Sequence, residues 1–104
     1  MPRIFTLEEF NKDFKKLDNS EQKRVEKILN QLTERPDGGK PLCGLPFFRE
    51  KKFDGKRVYF LIYKNLNAIL VIGISNKKIQ QATINQILIN MSEYHQYVIN
   101  LLNK

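Results

Sequence analysis

A chain of 104 residues with 18 Lys and Arg against 11 Asp and Glu, net charge +7, has room for one domain and one core. Its single cysteine, Cys43, and single histidine, His95, exclude a disulfide framework or a Cys/His zinc site within one copy, and no run of about 18 apolar residues or secretory leader is present, so a cytoplasmic protein with no membrane partner is expected. The charge is uneven: residues 47–104 carry nine Lys or Arg against three Asp or Glu while residues 1–46 are nearly neutral, which points to a polyanionic partner such as a nucleic acid.

Arg3-Ile4-Phe5 predicts a short edge strand. Thr6-Leu7-Glu8-Glu9 has the capping-box pattern, in which the hydroxyl accepts from the amide three residues on and the glutamate reaches back, so a helix is expected from Leu7. Leu7, Phe10, Phe14 and Leu17 recur at helical spacing as its core stripe. Asp18 and Glu21 offer the same reciprocal cap to a second helix; its apolar face is Val25, Ile28, Leu29 and Leu32, and Arg35-Pro36-Asp37-Gly38-Gly39 ends it. The two helices are expected to pair as an antiparallel hairpin with Lys23, Arg24, Glu26 and Lys27 in solvent. Lys40 to Phe47 reads as an irregular crossing anchored by Leu42 and Leu45, with Cys43 a small buried or half-buried thiol.

Phe48 to Ser75 then reads as three antiparallel strands joined at Asp54-Gly55 and Asn65-Leu66-Asn67, residues that accept the positive φ of short hairpin loops. Alternation along the middle strand puts Val58, Phe60 and Ile62 on a core face and Arg57, Tyr59, Leu61 and Tyr63 on an open one. If Phe53 is buried, the same parity sends Lys52 to the open face. Ala68 to Ile74 is apolar throughout, the pattern of a strand covered on both sides. Beyond it, Ile84, Ile87, Leu88 and Met91, then Tyr94, Val98, Leu101 and Leu102, predict an amphipathic tail of one helix or two, folded on the sheet or offered to a partner.

The order of these elements, with Gly44-Leu45-Pro46, Arg49-Glu50-Lys51-Lys52-Phe53, Gly55-Lys56-Arg57-Val58-Tyr59-Phe60 and Ser75-Asn76-Lys77-Lys78-Ile79-Gln80-Gln81, resembles the RelE/ParE superfamily of type II toxin-antitoxin toxins, close to its RelE- and HigB-type killer proteins. The resemblance spans residues 3–91. It implies an α+β fold: an N-terminal helical hairpin packed on a small, mainly antiparallel sheet, with a C-terminal helix. Residues 1–104 would be one domain, with 91–104 as a helical tail. It implies a toxin that cleaves messenger RNA on the ribosome without metal or other cofactor and is held inactive by a cognate antitoxin. By position Lys52, with Arg49 or Lys51, then Arg57, and Lys77 or Lys78 match the family's groove cations; Lys52, Arg57 and Lys78 are the expected catalytic residues, and Arg49, Lys51, Lys56, Tyr59 and Lys77 the expected RNA contacts. Members with the best-defined chemistry carry an arginine after the last strand and a tyrosine in the next helix, where this chain has Lys77-Lys78 and Thr83-Ile84. A ParE-like topoisomerase inhibitor and a non-catalytic RNA- or partner-binding module therefore stay open as alternatives.

Metal-free RNA cleavage must deprotonate the 2′-hydroxyl, stabilise a pentavalent phosphorane and protonate the departing 5′ oxygen. Arg57 suits the phosphorane, because guanidinium stays charged and its planar fork matches two phosphate oxygens. Lys52 would serve as base where neighbouring cations and burial make its ammonium easier to deprotonate. Lys78 or Lys77 would be the acid or a second phosphate clamp, and Tyr59 would offer a ring for a splayed base. Replacing Arg57 is expected to leave the fold intact.

Overall fold

Asp54 and Gly55 both take positive φ, 46° and 76°, and so close a two-residue hairpin turn whose twist matches that of its strands. This turn sets the pairing of the two strands that flank it, Leu45–Phe53 (β3) and Lys56–Tyr63 (β4), with Lys52 opposite Arg57, Lys51 opposite Val58 and Glu50 opposite Tyr59. A fifth strand, Ala68–Asn76 (β5), pairs antiparallel with β4, and Arg3–Thr6 (β1) joins its outer edge in parallel. On the other edge lies Lys40–Leu42 (β2), so the sheet runs β1-β5-β4-β3-β2. The computed structural model describes residues 1–104, and its helices are Glu8–Lys15 (α1), Asn19–Glu34 (α2), Gln80–Ile89 (α3) and Met91–Leu102 (α4). None is long and apolar enough to cross a membrane.

The α+β class, the mainly antiparallel sheet and the edge strand at Arg3-Ile4-Phe5 agree with expectation; with that strand opening the chain, the N-terminal helical hairpin is not confirmed. Helices α1 and α2 follow one another and both pack on the sheet, α1 chiefly on β5 and α2 on β3. The cap at Asp18 forms as predicted: its carboxylate accepts from the Glu21 amide at 2.8 Å and Glu21 accepts from the Asp18 amide at 3.4 Å. The cap at Thr6 does not. Leu7 takes the N-cap position without a side-chain bond, because Thr6 belongs to β1 and Leu7 donates its amide to Val71 of β5 at 3.0 Å. The expected irregular crossing is a second tight hairpin, turned at Cys43-Gly44, which leaves the Cys43 thiol exposed.

Two apolar layers fill the two faces. Phe53, Val58, Phe60, Ile62, Ile69 and Val71 meet Phe10 of α1 and Val25, Ile28 and Leu32 of α2. The other face, expected to be open, carries Phe48, Tyr59, Leu61, Leu70 and Ile72 and is closed by Ile84, Ile87 and Val98 of α3 and α4. The tail is two helices, broken at Asn90, and both fold back on the sheet. Every residue of β4 from Arg57 to Ile62 is consequently buried.

Two local devices shape this sheet. Between Tyr59 and Phe60 the β4–β5 register slips, leaving Ile72 as the extra residue of a bulge; the Asp13 carboxylate of α1 accepts the nearby Ile74 amide at 3.2 Å and so ties α1 to the irregularity. Gly39, at φ 81°, crosses so close to β3 that a Cβ would stand 2.5 Å from the Glu50 carbonyl oxygen and 3.2 Å from the Phe60 ring. Gly39→Ala should therefore cost about 3 kcal/mol in urea unfolding, combining backbone strain with a clash against a rigid strand. Asp18→Ala, which removes only the cap, should cost about 1 kcal/mol in the same assay.

Candidate nucleic-acid interface

Directly opposed residues of an antiparallel pair share a face, so the register assigns each predicted residue to one side of the sheet. Lys52, Arg57 and Ser75 form one cross-strand row; Lys40, Glu50 and Tyr59 form the next. Lys40 and Lys52 are exposed, as are Lys77 and Lys78 in the turn that leaves β5 at the same end. Lys52, Arg57, Lys77 and Lys78 are thus gathered at one end of the sheet, and Lys40 is a cation that sequence reasoning missed.

The remaining predicted contacts are placed elsewhere. Lys56 has the parity of Val58 and forms an ion pair with Glu21 of α2, on the opposite face from Arg57. Lys51 lines a groove beside Ile28, Leu32 and Arg35 on that same side. Arg49 is consumed by the backbone: Nε donates to the Gly38 carbonyl at 2.9 Å, Nη1 to Pro46 at 2.9 Å and Nη2 to Gly39 at 3.2 Å. It pins the approach to β2 and has little left for a ligand. Tyr59, expected to stack on a base, is wholly buried, and its hydroxyl shares a 2.7 Å hydrogen bond with Ser75. Desolvation pushes its phenol above the usual value, with Glu50 adding to the rise and Ser75 and Arg57 opposing it. The ring is a structural element beneath the cations and presents no face to a nucleotide.

Arg57 is also less open than its parity suggested, at 7% exposure. Its Nε lies 3.8 Å from Oε2 of Glu50, which is 2% exposed, and Nη1 reaches the Gly55 carbonyl at 3.4 Å. Gln80, on the first turn of α3, donates to the same Glu50 oxygen at 3.2 Å. The expectation that Arg57→Ala would spare the fold is therefore corrected: removing the guanidinium strips a buried carboxylate of its counter-charge, commonly a cost of about 3–5 kcal/mol. Lys52 stands in solvent, so burial, one of the two conditions for its use as a base, is not met.

A groove of about 740 Å³ opens at the other end of β4 and is lined by Pro46, Phe47, Tyr63, Met91 and His95 among others. Tyr63 and His95 rings lie 5.5 Å apart there. Its walls mix Pro46, Phe47, Ile62 and Met91 with polar side chains, and of its two Lys or Arg residues Arg49 is already committed to carbonyls while Lys64 is exposed.

No protein-family model matches the sequence, and a comparison with curated proteins finds no match. Solved structures do match. The isolated RelE toxin of E. coli superposes with a TM-score of 0.66 at 18% identity, over 84% of this chain and 99% of that one. The intact E. coli RelBE toxin-antitoxin complex gives 0.65 at 21% identity, over 73% and 96%. The RelBE2 toxin-antitoxin complex of Mycobacterium tuberculosis gives 0.62 at 16%, over 74% and 100%. At such identities the likeness is one of fold: the chain has the RelE fold.

The Tyr63 hydroxyl is buried without a hydrogen-bond partner, and desolvation, with a smaller contribution from Tyr94, pushes its phenol up to about 12. Tyr63→Phe should accordingly be as stable as the parent at neutral pH, or more stable by up to about 1 kcal/mol, since it removes an unpaired polar group. A folded phenol that keeps its proton above the unfolded value near 10 makes stability fall as pH rises from about 10 to about 12. Urea unfolding followed across that range should show a shallower decline in Tyr63→Phe.

Proposed function

We propose that this chain is the toxin of a type II toxin-antitoxin pair and an endoribonuclease that cuts messenger RNA on the ribosome. The observation that carries the reading is the row of Lys52 and Arg57 at one end of a RelE-fold sheet, with Lys40, Lys77 and Lys78 exposed around it. Four amines around one guanidinium suit a phosphodiester backbone. In this reading the 2′-hydroxyl oxygen attacks the adjacent phosphorus while its proton passes to a neutral Lys52 amine, for which crowding by the neighbouring cations Arg57, Lys77 and Lys78 is the one condition that remains, since Lys52 is exposed. Arg57 holds the equatorial oxygens through its Nη edge, the bond to the 5′ oxygen breaks, and Lys78 protonates that oxygen. The products are a 2′,3′-cyclic phosphate and a 5′-hydroxyl end. A cognate antitoxin is the natural partner, given that RelE-fold neighbours include RelBE complexes.

The test is controlled expression followed by mapping of transcript ends with translation active and with translation blocked. New 5′-hydroxyl ends confined to translated transcripts are the expected result. Intact transcripts together with altered DNA supercoiling would instead favour a topoisomerase target. Because Arg57→Ala unpairs Glu50, the informative variant is Arg57→Lys, which keeps the charge and loses the fork; cleavage should fall about ten- to a hundredfold with little change in melting temperature. Parental cleavage by Arg57→Lys, in a protein that melts normally, would remove Arg57 from the chemistry. Binding of single-stranded RNA should also weaken about fiftyfold between about 50 and about 200 mM salt if four cations each neutralise one phosphate, and a flat titration would count against the cluster.

A further inference from the structure

Among the eleven acidic side chains, Glu50 is the one that is fully buried, and it lies among cations. Neighbouring positions of β3 and β4 that face this end carry Lys52 and Arg57, and Lys40 stands directly opposite Glu50 on β2. A carboxylate is buried at large cost unless charge and hydrogen bonds compensate it. The compensation is one-sided. Oε2 receives the Gln80 amide at 3.2 Å and faces Arg57 Nε at 3.8 Å, whereas Oε1 makes no hydrogen bond within the chain.

Arg57 is correspondingly divided. Its Nε is buried with no hydrogen bond, Nη1 makes a long contact with the Gly55 carbonyl, and Nη2 makes none. The Nε edge therefore faces Glu50, and most of the Nη hydrogen-bonding capacity remains unspent. Arg49, on the same sheet, has the reverse arrangement, with Nε, Nη1 and Nη2 all tied to carbonyls. A guanidinium attracted inward along one edge by a buried anion is held in orientation without using the donors that would meet a phosphate.

We infer that Glu50 is the positioning residue of Arg57: bracketed by Gln80, its carboxylate holds the Nε edge of the guanidinium inward so that the Nη edge is presented to a phosphodiester. The inference deepens the nuclease reading and rests on it for the identity of the anion. It also gives Gln80 a role, since the amide ties Glu50 to the first turn of α3, the element that follows Lys77 and Lys78.

Glu50→Gln tests it, because removal of a negative charge and removal of a positioning group act in opposite directions. Charge alone predicts tighter RNA binding and cleavage at least as fast as the parent. Positioning predicts RNA binding as tight as the parent or tighter, with kcat lower by about ten- to a hundredfold and KM little changed. Combined with Arg57→Lys, the second substitution should add no further loss, since both would act through one guanidinium. A Glu50→Gln protein that melts near the parent and keeps its kcat overturns the inference, as does a double variant whose losses multiply. Should Glu50→Gln fail to fold, Gln80→Ala removes only the bracket and should lower kcat severalfold; an unchanged kcat there counts against it. A readout free of activity is the Arg57 Nε–H resonance in 15N spectra of the full chain, expected to exchange slowly with solvent in the parent and faster in Gln80→Ala. Rapid exchange in the parent overturns the inference. Absence of cleavage by the parent, with that resonance protected, would instead place the failure in the nuclease reading and leave the Glu50–Arg57 arrangement standing.

Discussion

Burial of β4 on both faces is the constraint from which the rest of this structure follows. Once α1 and α2 cover Val58, Phe60 and Ile62, and α3 and α4 cover Tyr59 and Leu61, nothing along the middle of the strand can meet solvent. Polar chemistry is displaced to the strand end, where helical cover runs out and the Asp54-Gly55 turn lies exposed. There the chain places Arg57 with one edge in the interior and surrounds it with amines in water. The layer that closes the second face is also the layer that supplies Gln80, so completion of the core and assembly of the polar end are a single packing event.

The polar end is arranged against stability. A buried carboxylate paired with a guanidinium at 3.8 Å, with Nε left without a hydrogen bond, gains less than the same volume filled by apolar side chains would. Arg49 indicates what an arginine kept for structure looks like in this fold, with all its nitrogens bonded to carbonyls around Gly38 and Gly39. Two arginines on paired strands, of opposite parity, have opposite fates. One holds the backbone together, and the other retains hydrogen-bonding capacity at a cationic end of the sheet. That contrast marks Arg57 more firmly than its charge does, because a surface count of cations would rank the two alike.

Surface charge follows the same division. Lys56 and Arg24 are drawn into ion pairs with Glu21 and Asp54, which staple α2 to the β3–β4 hairpin and lower the free positive charge on that side. Lys40, Lys52, Lys77 and Lys78 have no such partners. The positive excess of residues 47–104 is therefore concentrated by pairing as well as by sequence, and the field it makes is strongest where the cations are left uncompensated.

Local rules were enough for much of this chain. The Asp18 cap, the helix end at Arg35-Pro36, the Asp54-Gly55 turn and the alternation in β4 each depend on residues within a few positions of one another, and each is found as the sequence predicts. The two-residue turn even carried the pairing of Lys52 with Arg57 and of Glu50 with Tyr59, so the carboxylate beside Arg57 was legible as a diagonal neighbour. Other features belonged to the tertiary structure. Thr6 lost its cap because a parallel strand claimed it, and Cys43 turned a hairpin because β2 pairs with β3. Tyr59 was buried because α3 and α4 return to a face that alternation alone left open. Parity states which side a residue faces, and only the packing of distant elements decides whether that side is water or core. The sequence by itself thus determined the fold class and the cationic bias of the second half; the folded chain decided which of those cations remain free, because that depends on which carboxylates and carbonyls arrive from elsewhere to meet them.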